Sequence, residues 1–274
     1  IFYSYINYFK MFTNNFDPIA FNFLSLEIRW YSLAYIFGIL IGWIYCKKIL
    51  IKDKNILLLF DDLISYIIIG IILGGRLGYV ILYNLNYYSE NIFEILMIWK
   101  GGMSFHGGVV GVIVATYYFS KKNNIDTFIF LDLISLSAPI GIFLGRVSNF
   151  INSELYGRQT DLFWGVKFEK IDNLSRHPSQ IYEALLEGIL LFLLLNYFFK
   201  NYKNRLNGFI SSLFLIIYSL CRFFIEFTRE PDIQLGYFFN TLTMGQIISV
   251  IFFIFGLILF YKKNEYTKII SIYH

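Results

Sequence analysis

Three arginines, Arg76, Arg146 and Arg222, lie within apolar stretches of this sequence. An arginine at the middle of a bilayer costs about 2.5–3.5 kcal/mol on insertion scales, so such residues usually face the interior of a helix bundle and serve a function. A guanidinium group stays charged at any depth, and its paired donors match the oxygens of a phosphate. These residues predict a buried site for an anionic group. The alternative at each position is an ion pair that only fixes helix packing.

A second set of polar residues recurs at helical spacing. Tyr218, Arg222 and Glu226 are four residues apart, and Arg229 follows three residues later. Residues at this spacing share one face of a helix. We therefore expect Arg222 and Glu226 to pair directly, which would fix the guanidinium in place. An ion pair that serves stability alone is again the alternative.

Residues 145–158 read GRVSNFINSELYGR, which is too polar for lipid and too dense in Arg, Asn and Glu for a spacer. Non-helical backbone at membrane depth is tolerated only against protein or a water-filled cavity. This stretch is therefore predicted to belong to the site.

His106 stands between two pairs of glycines in the stretch 101–108, which reads GGMSFHGG. The glycines allow close approach to the imidazole, so His106 is a candidate general base. A structural histidine at a helix end is the alternative. His177, which precedes Pro178 at a predicted helix start, is expected to be a capping or packing residue.

The elements that must position these residues are predicted from composition. Hydrophobic residues make up 57% of the 274 residues and charged residues only 15%, whereas soluble domains carry about 25% charged residues. This excludes a soluble enzyme, a nucleic-acid-binding protein and a disordered chain. We predict an all-α polytopic membrane protein, a bundle of seven transmembrane helices with an outward-facing polar site. The predicted spans are 29–46, 61–83, 103–120, 128–148, 178–199, 208–227 and 242–261.

The basic residues predict the orientation of these spans. Lysine and arginine are concentrated in the segments that follow spans 1, 3, 5 and 7. The positive-inside rule places those segments and the C-terminus in the cytoplasm, and the N-terminus in the periplasm. The three arginines then lie roughly 20–27 Å into a hydrocarbon core about 30 Å thick, and His106 falls at a similar level. We therefore expect these four side chains to converge near the outer face.

Residues 1–274 are predicted to form a single integral-membrane domain. Residues 1–10 differ in character from the rest of the sequence, so we expect the chain to start at Met11. Residues 149–177 are predicted to form a periplasmic segment between spans 4 and 5. Glycines at 74, 75 and 78, at 107, 108 and 111, and at 141 and 145 indicate close helix approach.

The stretch 145–158 resembles the signature of the bacterial prolipoprotein diacylglyceryl transferases, G-R-x-G-N-F-x-N-x-E-L-x-G-R, with Ser148 in place of one glycine. The histidine motif at 101–108 is also similar to that family. The resemblance extends over almost the whole chain and includes residues 16–18, 29–31, 74–79, 176–180, 218–232 and 244–246.

This resemblance implies an enzyme of the bacterial inner membrane that needs no metal or organic cofactor. Such enzymes move the diacylglyceryl group of phosphatidylglycerol onto the lipobox cysteine thiol of a prolipoprotein signal peptide, form a thioether and release glycerol 1-phosphate. The implied partners are those two substrates and the bilayer, without nucleic acid. The residues at family positions are Tyr31, His106, Arg146, Asn149, Glu154, Gly157, Tyr218, Arg222, Glu226 and Arg229.

The expected catalytic residues are His106, Arg146, Arg222 and Glu226. The two arginines would clamp the departing phosphate, Glu226 would hold Arg222, and His106 would accept the thiol proton. The expected substrate-binding residues are Tyr31, Arg76, Asn149, Glu154, Gly157, Tyr218 and Arg229. The alternatives are an organic-anion or lipid transporter that binds its substrate with buried arginines, a non-catalytic assembly factor, and a different phospholipid head-group transferase.

Overall fold

The computed structural model describes residues 11–24, 26–202, 206–231, 236, 238 and 241–272. The predicted start at Met11 concerns residues 1–10, which lie outside the described residues. Asp232, the last residue of the 218–232 resemblance, lies outside them as well.

The described chain is mostly helical, with short strands in its connecting segments. In chain order, its helices and strands are β1 (Phe12–Asn14), β2 (Ile19–Phe23), β3 (Leu26–Arg29), α1 (Trp30–Leu50), α2 (Lys54–Tyr83), α3 (Leu85–Glu90), α4 (Phe105–Lys122), α5 (Thr127–Asn152), β4 (Val166–Phe168), β5 (Ser175–Arg176), α6 (Ser179–Asn201), α7 (Phe209–Ile225) and α8 (Met244–Ile272). Within α6, the segment Ala184–Leu190 is π-helical.

Five helices are long and apolar enough to cross a membrane: α1, α2, α5, α6 and the part of α8 over Met244–Lys263. The chain is therefore a multi-pass membrane protein. The predicted third span coincides with α4, whose histidine, glycines and two terminal lysines make it less apolar. The predicted sixth span coincides with α7, which is apolar but has only 17 residues. The count of seven spans stays a prediction.

The connecting segments contain short strands, which the all-α prediction did not include. β1 pairs in parallel with β4, β4 pairs antiparallel with β5, and β2 and β3 form an antiparallel pair. Backbone N–H and C=O groups outside helices still need hydrogen-bond partners. These short ladders supply such partners where the chain leaves the helices.

Two compact units make up the chain. The 43–134 unit is Trp43–Ile134, and the two-part unit combines the chain up to Gly42 with the chain from Ser135 onward. The prediction of a single domain over 1–274 stays a prediction.

In the 43–134 unit, glycines bring the backbones of α2 and α4 into contact. A Cβ atom added to Gly78 would lie 2.6 Å from the Cα of Gly107, and one added to Gly111 would collide with the carbonyl of Gly70. Only glycine fits where two helix backbones approach so closely. The close helix approach predicted for these two helices is confirmed at Gly74, Gly78, Gly107 and Gly111.

In the two-part unit, α1 meets α5 at a similar contact. A Cβ atom on Gly38 would lie 3.0 Å from the Cα of Gly141. A Cβ atom on Gly145 would meet no described atom within 4 Å, so the expected close approach there was wrong. Glycine in an apolar stretch permits close helix packing, but the contact forms only where a neighbouring helix lies against that glycine.

Candidate active site

The two-part unit contains a buried cluster of arginines and glutamates on three helices, which we call the Arg–Glu cluster. Arg146 comes from α5, both central glutamates come from α6, and the remaining members come from the end of α7 and the turn after it. The members are Arg146, Glu183, Glu187, Arg222, Glu226 and Arg229.

Glu183 joins two arginines from different helices. Its Oε2 lies 3.1 Å from Nε of Arg146, and its Oε1 accepts a hydrogen bond from Nη1 of Arg222. Nη1 of Arg229 lies 3.8 Å from the same Oε1. The Glu183 side chain has no exposed surface, and a buried carboxylate is stable only when it is paired. Glu183 therefore fixes how the two guanidinium groups are placed.

Glu226 holds the other side of Arg222. Its Oε2 lies 2.7 Å from Nη2 of Arg222, which confirms the pair expected from the four-residue spacing. Thr243 donates its hydroxyl to Glu226 Oε1 at 3.0 Å. A Cβ atom on Gly245 would lie 2.7 Å from that oxygen, so glycine is required for this close approach.

The N-terminus of α8 is capped where it meets Glu226. The backbone N–H of Thr243 donates to the side chain of Gln246 at 3.1 Å, and the N–H of Gln246 donates to the Thr243 hydroxyl at 3.3 Å. This reciprocal pair is a capping box. A carboxylate beside a helix N-terminus interacts favourably with the helix dipole, so the start of α8 gives Glu226 a further favourable contact besides Arg222.

The loop after α5 is held by two other segments. Gln180 donates to the carbonyl of Glu154 at 2.6 Å, and Ser179 donates to the carbonyl of Leu155 at 2.9 Å. The N–H of Gly157 donates to the carbonyl of His177 at 3.1 Å, and a Cβ atom there would collide with that carbonyl. The loop packs against protein, as its polar sequence requires.

The same loop positions Arg229. Gly157 forms a β-bridge with Arg229, and Arg158 donates through Nε to the Arg229 carbonyl at 2.8 Å. The signature stretch thus connects the end of α5 to the turn after α7. Two members of the Arg–Glu cluster, Arg146 and Arg229, depend on it for their relative positions.

Arg176 organises the segment outside the spans. Its guanidinium donates to Asp172 at 2.6 Å, to Glu230 at 3.2 Å and to the carbonyl of Gly157 at 3.1 Å. The hydrogen bonds from Arg176 hold the pKa of Asp172 below its usual value. Partial burial lowers the pKa of His177, whose Nδ1 lies 3.3 Å from the Tyr182 hydroxyl. This environment agrees with the predicted packing role of His177.

Three other predicted residues lie in the two-part unit. The Tyr31 hydroxyl is 3.2 Å from that of Tyr35. Asn149 is buried, and its amide donates to Glu154 Oε2 at 3.2 Å, within the loop itself. Tyr218 is buried one turn before Arg222.

Arg76 and His106 belong to the 43–134 unit, so their predicted convergence with the Arg–Glu cluster stays a prediction. Arg76 is 3% exposed, lies over the ring of Tyr88, and donates to backbone carbonyls of Glu94, Ile95, Gly101 and Gly102. These contacts favour a role in holding the segment before the histidine motif.

The histidine motif begins α4. His106 is the second residue of that helix, and Ser104 caps it by accepting from the N–H of Gly107 at 3.2 Å. Gly101 and Gly102 have φ angles of 81° and 79°, which side chains other than glycine rarely adopt. Glycine at these two positions therefore gives the backbone the conformation that leads into α4.

Glu183 and Glu187 were not predicted from the sequence as site residues. Both lie in the apolar stretch that forms α6, four residues apart, and both are fully buried. A pair of carboxylates at helical spacing in a membrane span is the signal that would have found them. Thr243 and Gly245 were not predicted as site residues either, although Gly245 lies in the 244–246 stretch of the resemblance, because only the fold brings them to Glu226.

The chain is similar to known proteins over most of its length. A family model described as prolipoprotein diacylglyceryl transferase matches residues 18–262. The relatives are proteins named phosphatidylglycerol–prolipoprotein diacylglyceryl transferase. In Rickettsia felis the relative is 48% identical over 257 residues, covering 91% of this chain and 98% of the relative. In Ehrlichia canis the relative is 48% identical over 247 residues, covering 88% of this chain and 93% of the relative. In Wolbachia pipientis wMel the relative is 47% identical over 248 residues, covering 89% of this chain and 94% of the relative.

Proposed function

This chain belongs to the prolipoprotein diacylglyceryl transferase family, and on that premise we propose that it transfers the diacylglyceryl group of phosphatidylglycerol to the lipobox cysteine of prolipoproteins. It does so in the bacterial inner membrane with the Arg–Glu cluster near the periplasmic face. The N-terminus is periplasmic, the C-terminus is cytoplasmic, and the predicted seven spans include α4 and α7. Both substrates are anchored in the bilayer, so they reach the site sideways between helices.

The reaction is a displacement at carbon. The cysteine sulfur forms a bond to C3 of the diacylglyceryl group, and the bond between C3 and the phosphate oxygen breaks. Glycerol 1-phosphate leaves, and the thiol loses its proton. Negative charge grows on the departing phosphate, so donors fixed around it stabilise the transition state more than the bound lipid.

The observation that carries this proposal is the Glu183 carboxylate between Arg146 and Arg222. It orients two guanidinium groups from separate helices before a lipid arrives, and such preorganisation makes donors effective in catalysis. The ion pairs of Arg146 engage its Nε and Nη2, and no described carboxylate lies within ion-pair distance of its Nη1. The Arg146 side chain keeps 13% of its surface exposed. In the proposed complex, this edge of Arg146 and the guanidinium of Arg222 contact the phosphate.

The remaining roles follow from the chemistry of the substrates. The thiol has an ordinary pKa of about 8.5 and reacts as the thiolate, so a base must assist near neutral pH. His106 accepts this proton in the proposed mechanism. Tyr31, Asn149, Glu154, Gly157, Tyr218 and Arg229 shape the surroundings of the lipid head group and the peptide.

The test is reconstitution with purified protein, phosphatidylglycerol and a lipobox peptide. Mass spectrometry should detect the thioether-linked peptide together with an equal amount of glycerol 1-phosphate. A peptide with serine in place of the lipobox cysteine, and phosphatidylcholine in place of phosphatidylglycerol, should give no product. Lipid bound or moved across a vesicle membrane without any thioether would contradict the proposal and favour the transporter.

A further inference from the structure

The Arg–Glu cluster balances its charges before a lipid binds. Its three guanidinium groups and three carboxylates sum to zero formal charge. A phosphodiester brings one further negative charge, and the phosphate released by the reaction carries more. An uncompensated charge in a buried site is strongly unfavourable. Uptake of one proton by the cluster would remove this cost.

Two of the three carboxylates are held by short contacts. Glu183 pairs with Arg146 at 3.1 Å and also accepts from Arg222. Glu226 pairs with Arg222 at 2.7 Å and accepts from Thr243 at 3.0 Å. These short contacts distinguish Glu183 and Glu226 from the third carboxylate, Glu187.

Glu187 is held much less firmly. Its closest ion-pair contacts are 3.5 Å to Nη2 of Arg146 and 3.8 Å to Nη1 of Arg222, both longer than a normal N–H···O hydrogen bond. Neither of its carboxylate oxygens accepts a hydrogen bond from any described residue, and the side chain has no exposed surface. It lies in the π-helical segment of α6, a rare geometry that is frequent at functional sites.

The charged and titratable groups around Glu187 come from every helix of the cluster. Arg146 lies on α5 and Glu183 on α6. The others lie on α7 or directly after it: Tyr218, Cys221, Arg222 and Arg229. The three arginines attract the negative charge of Glu187, while Glu183 repels it. A lipid phosphate that draws Arg146 and Arg222 toward itself therefore takes from the Glu187 carboxylate its two closest cationic neighbours.

Resting on the proposed function, we propose that Glu187 is a positioning residue that takes up a proton when phosphatidylglycerol binds. The proton comes from solvent and is held on a Glu187 carboxylate oxygen. The cluster thereby accepts the anionic head group without a net buried charge, and Arg146 and Arg222 turn their donors to the phosphate. Lipid affinity then falls as the pH rises, by up to about tenfold per pH unit for one linked proton.

Proton uptake can be measured without catalysis. Short-chain phosphatidylglycerol is titrated into the protein in detergent micelles by calorimetry, in buffers of different ionisation enthalpy, between about pH 5.5 and 8. The wild-type protein should take up as much as one proton per lipid in part of this range. Glu187→Gln should take up none and bind with an affinity that does not depend on pH, whereas Glu187→Asp, which keeps a carboxyl group, should still take up a proton.

Two results would overturn this role of Glu187: no proton uptake by the wild-type protein at any of these pH values, or wild-type uptake by Glu187→Gln. If Glu187→Gln does not fold, absence of proton uptake by the wild-type protein or by Glu187→Asp would still overturn the proposal. Steady-state kinetics give an independent readout. The KM of Glu187→Gln for phosphatidylglycerol should lose its pH dependence, while its kcat should follow pH as in the wild type, because thiol ionisation is unchanged.

Failure of the proposed function gives a different pattern. Lipid binding with proton uptake but without thioether product would refute transfer and leave Glu187 as the proton acceptor of a lipid-binding site. Thioether formation with identical pH profiles of KM for the wild type and Glu187→Gln would refute the role of Glu187 alone.

Discussion

Replacing Glu183 by glutamine removes the carboxylate that joins two buried arginines from different helices. The amide has nearly the same volume, so packing in α6 is preserved. Its oxygen can accept from one guanidinium, but its NH2 group faces the other as a second donor. Arg146 and Arg222 can then no longer both be held in their observed positions, which are set by contacts to opposite oxygens of Glu183.

The magnitude follows from the burial of this group. Glu183 is fully buried, and removing one partner of a buried ion pair costs about 3–5 kcal/mol of stability. Loss of one preorganised donor to a developing oxyanion lowers kcat by about 10²–10³-fold. The cluster also gains one net positive charge, so binding of the anionic lipid should not weaken. We therefore expect a large fall in kcat without a rise in KM for phosphatidylglycerol.

The assay is thioether formation on a lipobox peptide, with thermal unfolding measured in the same micelles. The matched control is Glu90→Gln, the same change at an exposed position at the end of α3, which should leave both quantities near wild type. A Glu183→Gln protein with lowered Tm but wild-type kcat would refute the reasoning. Glu183 would then support the fold without aligning the arginines.

Four further predictions concern other parts of the site. Arg222→Lys keeps the charge but replaces the planar fork, whose two Nη atoms contact Glu183 and Glu226 separately, by a single nitrogen, so kcat in the transfer assay should fall about 10²-fold or more while the folded protein is retained. Gly245→Ala forces a methyl group against the Glu226 carboxylate and should lower both Tm and kcat, whereas wild-type values for both would show that α8 can shift freely. His106→Gln should lower kcat most at low pH, where little thiolate is present, and an unchanged profile from about pH 6 to 8 would exclude His106 as the base. Arg176 lowers the pKa of Asp172, so this pair stabilises the fold above the unfolded-state pKa of about 3.9 and loses that effect as the pH falls through the lower folded-state value. Asp172→Asn should therefore lower Tm at neutral pH but not at low pH. An equal fall in Tm at both pH values would contradict the lowered pKa of Asp172.

Local periodicity was sufficient to predict some of the site. Arg222 and Glu226 pair because they are four residues apart on one helix, and this spacing is visible in the sequence. Glycines at fixed spacing likewise indicated close helix approach, which α2 and α4 show. The first prediction concerns two residues of the same helix. The second concerns glycine, whose main role in a membrane span is to allow close helix packing.

The partners of Arg146 could not be predicted in this way. Arg146 lies on α5, whereas Glu183 and Glu187 lie on α6 with a long connecting segment between them. Nothing in the local pattern says which faces of the two helices meet. The all-α prediction included no strand in the connecting segment, yet β4 pairs with β1, which lies more than 150 residues earlier in the chain. Contacts over such distances are set by the fold.

The most direct test of the account is an experimental structure of this protein with phosphatidylglycerol bound. We predict that the lipid phosphate lies within about 2.7–3.2 Å of guanidinium nitrogens of both Arg146 and Arg222, with Glu183 still between the two arginines. A phosphate bound away from both guanidinium groups, with the Arg–Glu cluster closed as in the lipid-free protein, would contradict the central claim.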